Sequence, residues 1–136
     1  MKHLLLIILW ALVLVGCGAP QPISHAIPTD QQFEAKWGVR FTRMAVTADG
    51  GLVDVRYTVL NPGRAQAMMN SLDTTPKIQL TNGTTLELKR QMNHKGDLEA
   101  GRSYYILYVN TRGAAASGSI ATLSVGGDTL GPMMLR

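Results

Sequence analysis

Few side chains in this sequence are suited to chemistry. Cys17 is the single cysteine, and histidines stand at positions 3, 25 and 94. Met92-Asn93-His94 places a thioether and an imidazole two residues apart, a soft donor set that suits Cu(I). On that reading Met92 and His94 are the ligands. Against it, methionine is a flexible filler of cores, and Met44, Met68, Met69, Met133 and Met134 fall in or beside segments that need apolar side chains. A hydrolase needs a nucleophile, a base and a group that orients the base. Past the N-terminal third the chain offers one histidine, His94, while Asp97 and Glu99 stand beside Lys95 and Arg102 and read as a solvated charged loop. No glycine-rich phosphate loop, HExxH or CxxC motif is present. The expectation is a chain with no catalytic residue and no cofactor. Copper(I) handling through Met92 and His94, and a hydrolase site that sequence cannot display, stand as the alternatives.

The cysteine has a context of its own. Leu4 to Val15 form an unbroken apolar run behind Lys2 and His3. It is too short for a transmembrane helix, which needs roughly 20 apolar residues, and it fits the apolar region of a signal peptide. The run ends in Leu14-Val15-Gly16-Cys17, which resembles the lipobox of bacterial membrane lipoproteins. That resemblance implies cleavage between Gly16 and Cys17 and a diacylglyceryl group on the Cys17 thiol. It also implies an outer-membrane destination facing the periplasm in a Gram-negative cell, because Gly18 is not the aspartate that favours inner-membrane retention. The physical logic agrees: one acyl chain holds weakly, whereas two or three hold durably. A cysteine before an ordinary secretory cleavage site would instead leave a free thiol on an exported protein.

The charge balance of 13 basic and 9 acidic residues gives +4 overall. The basic residues are scattered from Lys36 to Arg136 rather than gathered in a patch or on one helix, so nucleic acid is not expected as a partner. One cysteine excludes an intramolecular disulfide.

These groups must be positioned by the chain beyond the anchor. Residues 1–16 read as the signal peptide, 17–35 as the lipidated cysteine with a disordered proline-rich tether that includes a solvated His25, and 36–136 as one domain. Turn signals recur about every ten residues, between short β-rich segments. Strands are expected over 38–47, with a change of phase near Arg43-Met44, and over 52–60, with Val53, Val55, Tyr57 and Val59 inward and Asp54, Arg56 and Thr58 towards solvent. Asn61-Pro62-Gly63 ends that strand, and a helical turn comes next within Arg64–Leu72. Asn82-Gly83 predicts a type I′ hairpin with positive φ at both residues, flanked by strands from Lys77 and from Thr84. Ser103–Asn110 is apolar on both faces, which predicts a central strand. Ser119–Val125 and Thr129–Leu135 complete about seven strands.

Such a set resembles an immunoglobulin-like β-sandwich, without the cysteine pair that brackets a tryptophan in antibody domains. The segments Asp54–Ala65 and Tyr105–Asn110 are also similar to a pattern in uncharacterised bacterial secreted domains, which implies no activity. The expected function is a lipid-anchored cell-envelope protein that presents a non-catalytic binding module. Its partners are the membrane, through Cys17, and an envelope protein or polymer. Recognition is expected in the loops, at Arg64, Met68, Met69, Asn93, His94, Lys95 and Arg102.

Overall fold

The computed structural model describes residues 20, 22–88 and 97–136. In chain order the elements are α1 (Gln31–Trp37), β1 (Val39–Thr47), β2 (Leu52–Val59), α2 (Pro62–Met69), β3 (Lys77–Leu80), β4 (Thr85–Leu86), β5 (Ser103–Val109), β6 (Ile120–Val125) and β7 (Asp128–Met134), with a 3-10 turn at Thr111–Gly113. The strands form two antiparallel sheets, ordered β1-β2-β5 and β4-β3-β6-β7. This is an all-β sandwich, and its strand order departs from that of an immunoglobulin constant-type domain. In the constant-type arrangement the fourth strand lies beside the fifth; here β4 pairs with β3 in the opposite sheet, so β5 is left at an edge.

The core follows from period-two alternation. Val53, Val55, Tyr57 and Val59 of β2 are fully buried, and Ile78, Leu123, Val125 and Met133 close on them from the other sheet. Fully burying an aliphatic or aromatic side chain of this size contributes roughly 1.5–3 kcal/mol. The phase change expected in the first strand is a register shift between Phe41 and Arg43. An aromatic row crosses one end of the core: Phe33 meets Phe41 edge-on at 6.1 Å, Phe41 meets Tyr57 at 6.0 Å, and Tyr57 stacks on Tyr104 at 6.0 Å. Burial, with Tyr104 as a secondary influence, pushes the Tyr57 phenol up to about 12.

Three expectations require correction. The domain starts before residue 36, because α1 forms within the segment read as tether. The Asp30 carboxylate caps it by accepting from the Phe33 N–H at 2.9 Å, Gly38 ends it at φ 70°, and Phe33 is buried. Only glycine suits Gly38, since an added Cβ would lie 2.6 Å from the Asn61 carbonyl oxygen. His25 is exposed, as expected, and its Nδ1–H donates to the Met134 carbonyl at 3.1 Å. The hairpin at Asn82-Gly83 is not type I′: Gly83 has φ 85°, but Asn82 is not in the left-handed region. Asn82 instead accepts from the Thr84 N–H and donates to the Ala114 carbonyl, each at 3.0 Å, which ties the turn to the loop after β5. Finally, β5 is an edge strand and β2 is the central one.

α2 begins at the Asn61-Pro62-Gly63 breaker itself. The Asn61 side chain accepts from the Arg64 N–H at 3.0 Å, and Pro62 occupies the first turn, where a missing N–H costs nothing.

Candidate functional site

A sandwich exposes a free edge at each side of each sheet, and an exposed edge is an invitation to pair with another chain. Two of the edges here are covered by the chain itself, and a third is very short. β1 is covered by the C-terminus, where Val46 N–H donates to Arg136 O at 2.9 Å and Arg136 N–H donates to Met44 O at 3.1 Å. β7 contains Pro132 and is met by the segment before α1, where Met134 N–H donates to Ser24 O at 2.8 Å. β4 is only two residues long. β5 has none of these devices: Ser-Tyr-Tyr-Ile-Leu-Tyr-Val carries no charge and no proline, and among the described residues no strand lies outside it.

Its backbone parity follows from two hydrogen bonds. Val59 N–H donates to Arg102 O, and Asn110 N–H donates to Gly51 O, both at 2.9 Å. Pairing alternates along an antiparallel ladder. With the register Val53↔Tyr108, Val55↔Ile106 and Tyr57↔Tyr104, the even-numbered residues of β5 therefore turn their N–H and C=O towards β2. Ser103, Tyr105, Leu107 and Val109 turn theirs outward. The same residues project side chains from the outer face, where Tyr105 is 57% exposed, Leu107 38% and Val109 70%.

That outer face is organised in rows across three strands. Arg43, Arg56 and Tyr105 form one row, Ala45, Asp54 and Leu107 the next, and Thr47, Leu52 and Val109 the third. A shallow cavity of about 370 Å³ lies over them, lined by Thr47, Ala48, Leu52, Asp54, Arg56, Tyr105 and Leu107. Asp54, expected to face solvent freely, is buried on this outer side. One of its carboxylate oxygens accepts from Arg56 Nε at 2.8 Å, and the other has no hydrogen-bond partner among the described residues. Leu107 stands directly opposite Asp54 in the register, so an apolar neighbour accounts for the lost hydration. A polar group left buried and unpaired carries a cost of about 1–3 kcal/mol.

A larger cavity of about 530 Å³ lies between α1 and the β6–β7 turn. Its charges satisfy one another. Asp128 accepts from Lys36 at 2.6 Å and from Trp37 Nε1 at 2.9 Å, and those bonds hold its carboxyl below the usual aspartate range. It presents no unpaired group comparable to the backbone of β5.

The residues singled out from sequence are dispersed. Met68 and Met69 are fully buried core of α2, closed to a partner, as are Met44 and Met133. Methionine as filler explains all four. The Arg64 guanidinium donates to the Ala35 carbonyl and fastens α2 to α1. Arg102 is exposed and pairs with Glu99 at 3.0 Å, just ahead of β5. Gly16, Cys17, Met92, Asn93, His94 and Lys95 lie outside the described residues. Among the described residues no group of three or more His, Cys, Asp or Glu is placed to hold a metal ion. Sequence reading missed Tyr105, Leu107 and Val109 as surface, although the signal was there: a strand apolar on both faces needs cover, and cover can come from another chain. Comparison with family models, with curated proteins and with solved structures finds no match.

Proposed function

We propose that this protein is a lipid-anchored component of the bacterial cell envelope whose β-sandwich is a non-catalytic interaction module, and that it takes its partner by strand addition along β5. One observation carries the reading: β5 alone combines outward backbone groups, an apolar outer face and no protective charge, proline or covering segment among the described residues. In strand addition the main chain supplies hydrogen bonds, and alternate side chains supply selectivity. The three outer rows provide that second part, with Leu52, Leu107 and Val109 as apolar contacts and Arg43 and Arg56 as a basic flank.

The lipobox-like Leu14–Cys17 supports the anchor. Ser24 is already bonded to β7, so the free path from Cys17 spans seven residues, roughly 25 Å when extended. A domain held that close to a membrane meets partners that are themselves bound to the envelope.

The test is a photo-crosslinking residue in place of Tyr105 in cells that make the full chain, with and without Leu107→Pro. The Leu107 N–H points outward and is unused in the ladder, so proline is tolerated there while one donor of the free edge is lost. Adduct formation at 105 that Leu107→Pro reduces at least tenfold is the expected result. Adducts that Leu107→Pro leaves unchanged would overturn strand addition. Mass spectrometry of the mature chain checks the anchor, for which an unmodified Cys17 is the contrary result.

A further inference from the structure

We infer that the outer face of the β1-β2-β5 sheet is a docking surface for the anionic lipid of the membrane that holds the anchor. The inference rests on the lipid-anchored reading and adds a second, electrostatic contact to it. Basic residues that are scattered in the sequence meet on this face. Arg43 and Arg56 stand directly opposite each other in the register. Arg136 extends the next row: its N–H donates to Met44 O and its carbonyl accepts from Val46 N–H, so it flanks Ala45. Leu135 is buried in the core, and alternation therefore turns the exposed Arg136 outward. Arg40 is neutralised by Glu34 and Arg56 by Asp54, while Asp49 lies in the β1–β2 turn beyond the last row. Arg43 and Arg136 have no ion-pair partner among the described residues. Like charges directly opposite are destabilising, and a phosphate group set against Arg43 and Arg56 relieves that cost.

The tether reaches the membrane with either face down. Ser24 is bonded to β7, and the chain passes from β7 to β1 between Met134 and Arg136, so both strands lie on one side of the sandwich. Stacked sheets are about 10 Å apart, and a free path of roughly 25 Å spans that height from either sheet. Charge decides between the faces. On the opposite one Gln79, Thr85, Thr122 and Ser124 are uncharged, and Lys77 is paired with Glu87 at 3.5 Å. The arginine face also carries exposed Tyr105, Leu107 and Val109 along its β5 side. A tyrosine there, apolar in its body and polar at its tip, suits the headgroup boundary. With this face down the free backbone of β5 points along the membrane plane, so docking and strand addition use different groups of one strand.

The experiment uses the full chain reconstituted in vesicles of phosphatidylethanolamine and phosphatidylglycerol, with a nitroxide-labelled lipid as quencher. A fluorophore is attached at Tyr105→Cys or, on the opposite face, at Gln79→Cys. The expected result is quenching at 105 at least threefold greater than at 79. That excess should vanish in vesicles of phosphatidylcholine alone, and also at about 1 M salt, where the screening length is about 3 Å. Arg43→Gln with Arg136→Gln breaks no ion pair among the described residues; at about fivefold for each arginine, the pair should lower the ratio of docked to undocked chain roughly 25-fold. Equal quenching at the two positions overturns the selection of this face. An excess at 105 that persists in phosphatidylcholine overturns the arginines as its cause. No quenching at either position, from a chain that still floats with the vesicles, overturns docking and leaves the anchor standing. A chain that does not float removes the anchor on which the inference rests.

Discussion

Asn110 and Ala115 clasp each other twice: the Asn110 side chain donates from Nδ2 to the Ala115 carbonyl at 2.7 Å and accepts through Oδ1 from the Ala115 N–H at 2.9 Å. The same Nδ2 donates to the Gly50 carbonyl at 2.8 Å. One buried amide thus joins the end of β5, the β1–β2 turn and the loop that leads to β6, and its outward neighbour Val109 takes its position from that junction.

Asn110→Ala therefore leaves both backbone groups of Ala115 without partners in a buried place, and the Gly50 carbonyl without one where it is half-buried. At about 1–3 kcal/mol for a buried group left unpaired, a loss of about 3–5 kcal/mol is expected in urea denaturation. Asn110→Asp is the sharper variant, because a carboxylate accepts but cannot donate, so it should lose as much. A loss below about 1 kcal/mol for either would show that water replaces the amide at no cost.

The acid side of the stability curve depends on Glu34. Arg40 holds its carboxylate through two hydrogen bonds, at 2.8 and 2.6 Å. That clamp outweighs the burial that acts in the opposite sense and keeps the Glu34 carboxyl below the usual glutamate range. A carboxylate whose folded pKa lies below its unfolded value contributes stability that is present in full above the unfolded value, about 4.3. The contribution is lost as pH falls through the folded value. Thermal midpoints measured from about pH 5 to pH 3 should fall more steeply for the unsubstituted chain than for Glu34→Gln, and parallel curves would remove Glu34 from the account.

Much of this architecture was legible. Val53, Val55, Tyr57 and Val59 alternate cleanly and are all buried, because one face of a strand against one core leaves a period-two trace. The strand at 103–109 was legible as a strand but not as an edge. Apolarity on both faces records that both will be covered without recording by what, and the strand that could have flanked it, β4, joined β3 instead. α1 was hidden by the prolines before it, although Asp30 three residues ahead of Phe33 was its capping signal. Asp54 defeated alternation for a different reason. It points outward, as its place in the alternation requires, and it is buried there by Leu107 from a strand more than 50 positions away.

Tyr108 tests the inner face of β5. Its hydroxyl donates to the Pro76 carbonyl at 2.6 Å and fixes the entry to β3, and burial pushes the phenol well above its usual value. Tyr108→Phe should cost about 1–2 kcal/mol at neutral pH. The sign at high pH follows from the raised pKa. The contribution is complete below the unfolded phenol value, about 10, and declines as pH rises beyond it, because the unfolded chain releases the proton first. Unfolding midpoints above about pH 10 should therefore drop less steeply for Tyr108→Phe. A steeper drop would contradict the assignment.

The edge itself is tested by a charge placed where a monomeric protein would have put one. Val109 is 70% exposed and opposes Leu52 on the outer face, away from the core. Val109→Lys removes no buried contact, so its stability should stay within about 1 kcal/mol of the unsubstituted chain in urea denaturation. An ammonium on an edge strand nevertheless opposes the approach of another strand. The two quantities should separate: an unchanged unfolding midpoint together with a severalfold fall in photo-crosslinking from position 105. Tyr57→Ala supplies the contrast, since it hollows the core behind the same sheet and should cost about 3–5 kcal/mol. If Val109→Lys keeps the fold and crosslinks as efficiently as the unsubstituted chain, the open backbone of β5 is not where the partner binds.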